Sequence, residues 1–231
     1  MQETPQPPEP GGPPPSQPPE PGAQPPAPPP PPPPPAGVDP EVAAYPLQVD
    51  IQRQEEYSRF MPLIKWLLAI PHFIVLTLLG IGALVAIIVA FFAILITGRY
   101  PRGLFDYISG VYRWAWRVSA YTYLMVDPYP PFSLASDPSY PATYEVTYPE
   151  EGVARWRPLL HWLLIIPYHL VATVLVYLSF LMVFFGFFTI LFTKRFPAGI
   201  FNIALVGMRW TMRANAYHSW LTTKYPPFVW G

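Results

Sequence analysis

The 231-residue chain contains no cysteine. That excludes a disulfide framework, a thiolate metal site, a cysteine nucleophile and every lipid anchor joined through sulfur. Charge is scarce too: Asp, Glu, Lys and Arg make up 12%, about half the share of a soluble domain. Residues 66–98 and 162–193 carry no formal charge at all. Catalytic signatures are equally absent. There is no Gly-x-Ser-x-Gly elbow, phosphate loop, dinucleotide fingerprint or zincin motif. The four histidines are His72, His161, His169 and His218; only His161 and His169 share a region, too far apart on a helix to bind a metal without carboxylate partners. No catalytic residue, metal or cofactor is therefore expected, and the chain reads as a non-enzymatic protein.

What is present is proline, apolar residues and aromatics: 36 Pro, 52% hydrophobic and 16% aromatic. The first forty residues include the unbroken run Pro28 to Pro35 and no aromatic side chain. Such a segment buries too little apolar surface to offset the entropy of ordering, so residues 1–44 read as a disordered Pro-rich tail. Its eight-proline run favours a stiff polyproline II rod of about 25 Å. It reads as a spacer or as the ligand of a polyproline-recognising protein partner. With neither an apolar stretch nor a basic start, it does not read as a signal peptide. Six acids and no Lys or Arg fall in residues 1–52, so the body beyond carries a net positive charge. Its bases are dispersed, which points to anionic lipid and away from nucleic acid.

The rest is a tandem repeat. An offset of 96 residues lays 62–132 on 158–228 without a gap: Pro62 falls on Pro158, Trp66 on Trp162, Pro71 on Pro167, Arg113 on Arg209 and Arg117 on Arg213. Tyr-Pro-Pro-Phe at 129–132 falls on the same four residues at 225–228. The period is far longer than that of a solenoid, so the units are modules, 45–134 and 140–231. Each opens on a short alternating lead, Leu47, Val49 and Ile51 or Tyr144, Val146 and Tyr148, that reads as a strand. The apolar run follows. Both runs exceed the 20 or so helical residues that cross a bilayer core. Starting them at Pro71 and Pro167 puts membrane helices at about 72–97 and 168–193, with 57–70 and 156–166 at the interface. Each run either crosses once or turns back as a hairpin, for which Gly80 and Gly82 supply a turn in the first run while Val176 and Leu178 do not in the second. Single crossings are the preferred reading.

After each run comes an aromatic helix, 103–126 or 199–222. On its wheel Asp106, Ser109, Gly110, Arg113, Arg117 and Ala120 share one arc, and Tyr107, Val111, Trp114, Val118 and Tyr121 another. An amphipathic helix of this kind lies in the interface with aromatics down and arginines toward phosphate. Arg113, Arg117, Arg209 and Arg213 are accordingly the candidate lipid head-group contacts, and Trp66, Trp114, Trp116, Trp162 and Trp210 the candidate interface anchors. The fold class expected is an all-α integral membrane protein of two tandem modules, with short β lead-ins.

The motifs Trp-Leu-Leu-Ala-Ile-Pro-His (66–72), Gly-Arg-Tyr-Pro-Arg-Gly-Leu-Phe-Asp (98–106), Arg-Trp-x-Trp-Arg-Val-x-Ala-Tyr (113–121) and Asp-Pro-Tyr-Pro-Pro-Phe-Ser-Leu (127–134) resemble the family catalogued as domain of unknown function 4389. The second copy departs from it where Ala198 replaces Arg102, Asn202 replaces Asp106 and Met212 replaces Trp116. The resemblance implies a bacterial inner (plasma) membrane protein and supplies no activity or site residue. The expected role is to organise lipids or partner proteins at a multi-pass membrane site, with the tail on the cytoplasmic side. The alternatives are a membrane-bending hairpin protein and a small transporter or accessory subunit.

Overall fold

A computed structural model describes residues 39–230; most of the Pro-rich tail lies outside the described residues. Where the tail meets the body, Pro40–Ala43 forms a single helical turn, α1, capped by Asp39, whose carboxylate accepts from the Glu41 N–H at 2.9 Å. The chain then runs β1 (Leu47–Ile51), α2 (Met61–Leu68), α3 (Ile70–Thr97), α4 (Arg102–Thr122), β2 (Ala142–Val146), α5 (Arg157–Leu164), α6 (Ile166–Thr193) and α7 (Ala198–His218).

Helices α3 and α6 are unbroken over 28 residues each, about 42 Å at helical rise. Pro71 and Pro167 sit in the first turn, where a missing N–H costs nothing, so both helices start two residues earlier than expected. Gly80 and Gly82 make no turn. Gly82 instead makes room for Tyr107, whose hydroxyl would stand 2.5 Å from an added Cβ. The hairpin reading of the apolar runs is thereby corrected. Gly98 and Lys194 end the two helices in the left-handed region, at φ 71° and 58°.

The aromatic helices end four residues before the positions expected, at Thr122 and His218. Leu124 and Trp220 adopt positive φ, 62° and 58°. That lets the Met125 N–H reach Ala120 O and the Leu221 N–H reach Ala216 O, both at 2.9 Å, satisfying carbonyls the helix leaves open. The leads do form strands, but they pair with each other across the modules. Leu47 faces Val146 and Ile51 faces Ala142 in an antiparallel ladder; Tyr148 lies beyond it.

Within each module the aromatic helix returns antiparallel along the apolar one. Tyr107 Oη donates to Leu79 O at 2.9 Å, and Trp114 Nε1 to His72 Nδ1 at 3.1 Å. In the second module Ser179 Oγ donates to Ala204 O at 2.8 Å. Between modules the contacts are reciprocal. The Tyr57 N–H donates to Lys194 O at 2.8 Å, and its counterpart at the same offset, the Val153 N–H, donates to Gly98 O at 2.9 Å. Each module thus begins where the other's long helix ends, so α3 and α6 run antiparallel about a pseudo-two-fold axis, the self-complementary arrangement of a symmetric dimer. Buried residues of both modules, among them Trp116, Ala90, Met208 and Leu221, join one core.

The two helix pairs do not pack alike. Gly207 lies against Ser179 Oγ and Leu175 O so closely that an added Cβ has no room, whereas Val111 takes that position in the first module. Gly207→Ala is expected to destabilise the fold by about 1–3 kcal/mol through overpacking against backbone, measured by denaturant unfolding in detergent. The same methyl added at Gly103, which has open space around it, should lose nothing comparable.

Candidate functional site

Three layers follow from these contacts. Helices α2, α3, α5 and α6 form the first, α4 and α7 the second, and β1, β2 and the loop after α4 the third. Helix α4 shows the order: Tyr107 and Trp114 point to α3, while Arg113 and Trp116 point to Tyr144 O and Asp50 O in the strands.

Of the four arginines expected at lipid head groups, Arg113, Arg117 and Arg209 hold the third layer to the second. Arg113 donates from Nε to Tyr144 O at 3.1 Å and from Nη1 to Leu134 O at 2.9 Å. Arg117 is 1% exposed and donates to Ser133 O. Arg209 donates to Val49 O and pairs with the Asp50 carboxylate at 2.5 Å. Arg213 is 2% exposed, in the electrostatic reach of Tyr168 and Tyr45. Burial, and Arg113 beside it, lower the pKa of Arg117. Loop and strand carbonyls thus meet the polar arc of α4 and α7, where the sequence alone shows only an exposed-looking stripe.

The anchors divide. Trp66 and Trp162 are 63% and 57% exposed, on α2 and α5, where a membrane interface would meet them. Trp114, Trp116 and Trp210 are buried and face no solvent or lipid. Trp114 and Trp210 belong to a clasp built in both modules from the Tyr-Pro-Pro-Phe stop. Phe132 stacks on His72 at 4.0 Å and meets Trp114 edge-on at 5.4 Å; Phe228 meets Tyr168 at 5.2 Å and Trp210 at 5.5 Å. Tyr129 Oη donates to Leu68 O at 3.1 Å, and Tyr225 Oη to Leu164 O at 3.2 Å. The motif lies beyond the ends of α4 and α7, and its ring pair covers the joint between the short and long apolar helices. Sequence reasoning took the motif only as a stop; its exact repetition 96 residues on was the signal that it packs.

The first layer is different in kind. Residues of α3 are buried along one narrow stripe, at His72, Ala83, Ala86, Ala90 and Ile94. The remaining surface is large and apolar: Ile74, Leu78, Leu84 and Ile96 are exposed on α3, and Leu170, Val174, Phe184 and Phe192 on α6. Both are long and apolar enough to cross a membrane. Exposed bases stand at the ends of these helices, Arg59 and Arg99 around α2–α3, and Arg155, Lys194 and Arg195 around α5–α6. None of these five is in an ion pair with a described residue.

Two tyrosines set a limit on alkaline conditions. Tyr45 Oη bonds Thr222 Oγ1 at 3.0 Å and Tyr57 Oη donates to Met125 O at 3.1 Å. Burial pushes both pKa values from 10.0 up to about 12. Their neutral forms favour the folded chain, so this stability is complete below pH 10 and is lost as the pH rises to about 12. Circular dichroism recorded with tyrosinate absorbance should show unfolding inside that window, with Tyr57→Phe shifting the onset upward.

A family model described as Domain of unknown function (DUF4389) matches residues 62–133 and again 155–229. No curated protein and no solved structure matches the chain.

Proposed function

The chain belongs to the DUF4389 family, carrying its domain twice in tandem, and from that premise we propose that it is a non-enzymatic integral membrane protein that organises lipids or partner proteins at the membrane interface. One observation carries the reading. The large apolar side chains left exposed are concentrated on α2, α3, α5 and α6, whereas Arg113, Arg117 and Arg209 of the second layer are spent on contacts with loop and strand carbonyls. An apolar surface of this extent is not left to water by a soluble monomer. At roughly 1.5–3 kcal/mol per buried side chain, its transfer to acyl chains exceeds the whole net stability of a typical domain.

The first layer is the embedding surface, and the five exposed bases at its helix ends favour anionic head groups. The polar third layer is the surface offered to protein partners, and the Pro-rich tail extends from the same body. The plasma membrane is the proposed location, with the tail on the cytoplasmic side. The membrane-bending alternative was read from helical hairpins, whereas α3 and α6 are each continuous over 28 residues.

The test is retention. Membranes from cells making the full chain should keep it through washes in high salt and in urea at neutral pH, and purified chain should float with anionic vesicles. Alkaline carbonate is the wrong wash, because it falls in the range where Tyr45 and Tyr57 ionise. Recovery of the chain in the urea supernatant would remove the membrane reading.

A further inference from the structure

Resting on that membrane reading, we propose that the chain lies in the plane of the membrane, with the α2–α3 and α5–α6 layer sunk among the acyl chains of a single leaflet and the α4, α7 and strand layers on its water side. The occupant of the apolar face is thus one leaflet of a bilayer.

The inference rests on where polar side chains fall along the long helices. Tyr107 reaches Leu79 O, and residue 79 is the midpoint of the apolar span Met61–Thr97. Asp106, next to Tyr107, is exposed. In the second module Ser179, at the middle of α6, bonds Ala204 O, and the exposed Asn202 is two residues away. Strand β1 is held to both aromatic helices at once, through Trp116 Nε1 to Asp50 O at 3.2 Å and Arg209 to Asp50 Oδ1 at 2.5 Å. The exposed residues of the ladder, Gln48, Asp50 and Glu145, are therefore carried beside the middle of the long helices as well.

If α3 and α6 crossed the bilayer, these exposed acids would stand near its midplane facing acyl chains, where charged groups are strongly disfavoured. The edges of a two-stranded sheet would be there too, with backbone N–H and C=O groups that lipid cannot satisfy. Laid flat, none of them is immersed. The pseudo-two-fold axis then stands along the membrane normal, both modules present the same face, and no inverted repeat arises. The five exposed bases at the helix ends fall around the rim of the immersed layer, level with phosphates, and Trp66 and Trp162 lie on that layer's short helices. This is the geometry of an interfacial helix, carried by helices long enough to span.

The absence of native cysteine makes the test direct. Arg59→Cys, Arg99→Cys and Asp106→Cys are placed singly in the full chain, in sealed vesicles of one orientation already washed with neutral urea. Each is labelled with a membrane-impermeant maleimide before and after permeabilisation. All three sites are exposed in the fold, so substitution there leaves packing intact. The expected result is labelling of all three from the same side and to about the same extent. Labelling of Arg59→Cys and Arg99→Cys from opposite sides, or silence of Asp106→Cys after permeabilisation, would show that the helix crosses and would overturn the in-plane arrangement alone. Loss of the chain in the urea wash would overturn the membrane reading together with it.

Discussion

Asp127→Asn is expected to destabilise the protein by about 3–5 kcal/mol, the cost of leaving a buried charge without its partner. Lys65 is 1% exposed, and its Nζ donates to Val126 O at 2.6 Å and to Asp127 Oδ1 at 2.8 Å. The same carboxylate accepts from the Ser58 N–H at 2.7 Å. The pair therefore ties α2 to the end of α4. The second module makes the joint without charge: His161 stands at the position of Lys65 and Thr223 at that of Asp127. His161 stacks on Tyr217 at 4.1 Å, with Nδ1 3.1 Å from Tyr217 O. Transplanting that solution as Lys65→His with Asp127→Thr should recover most of the loss, since Tyr121 already occupies the place of Tyr217. Denaturant unfolding of both single variants and the double variant in detergent checks this. Additive losses would show that the two side chains do not act as a pair.

Trp116→Ala should cost a similar amount, about 3–5 kcal/mol, as a large aromatic removed from a closed core. Its side chain is 0% exposed and lies between the modules, beside a cleft of about 60 Å³ bounded by Tyr123, Val176, Met208 and Met212. Its indole N–H holds Asp50 O, so the variant also frees the strand. Met212 is the counterpart in the second copy, and Trp116→Met should cost less because methionine fills irregular gaps. Thermal unfolding followed by near-ultraviolet dichroism separates the two variants. Equal, small losses would mean that the modules are not joined through this side chain.

Much of the scaffold was legible from residue order. The repeat offset, the apolar runs and the aromatic helices all rest on local periodicity or direct self-similarity; the family domain matches twice, and each apolar run and aromatic segment is a helix in the structure. Helix ends were read less well. Nothing local announces that Leu124 and Trp220 will take a left-handed conformation that favours glycine. The strands were visible as alternation, but their pairing across the modules is a long-range fact that a five-residue segment does not encode.

The carbonyl partners of the arginines were hidden for a related reason. A stripe containing Arg113 and Arg117 has the same periodicity whether phosphates or loop carbonyls meet it, and only the return of residues 133 and 134 over α4 decides. Burial of Trp114, Trp116 and Trp210 likewise depends on the clasp and the opposite module. Trp66 and Trp162 sit on the faces of α2 and α5 that nothing in the described chain covers, so their exposure followed from local pattern alone. The tail outside the described residues stays with its compositional reading.

The most direct measurement is the environment of the exposed faces of α3 and α6 in a bilayer. Leu84 and Phe180 are counterparts at the repeat offset, exposed by 60% and 54%. Spin labels on Leu84→Cys and Phe180→Cys in the full chain, reconstituted in anionic vesicles, should collide readily with dissolved oxygen and hardly at all with a water-soluble nickel chelate. A label on Glu145→Cys should show the reverse. If Leu84 and Phe180 instead reported the chelate as strongly as Glu145 does, the apolar layer would be meeting water, and the membrane-embedded reading of this protein would be contradicted.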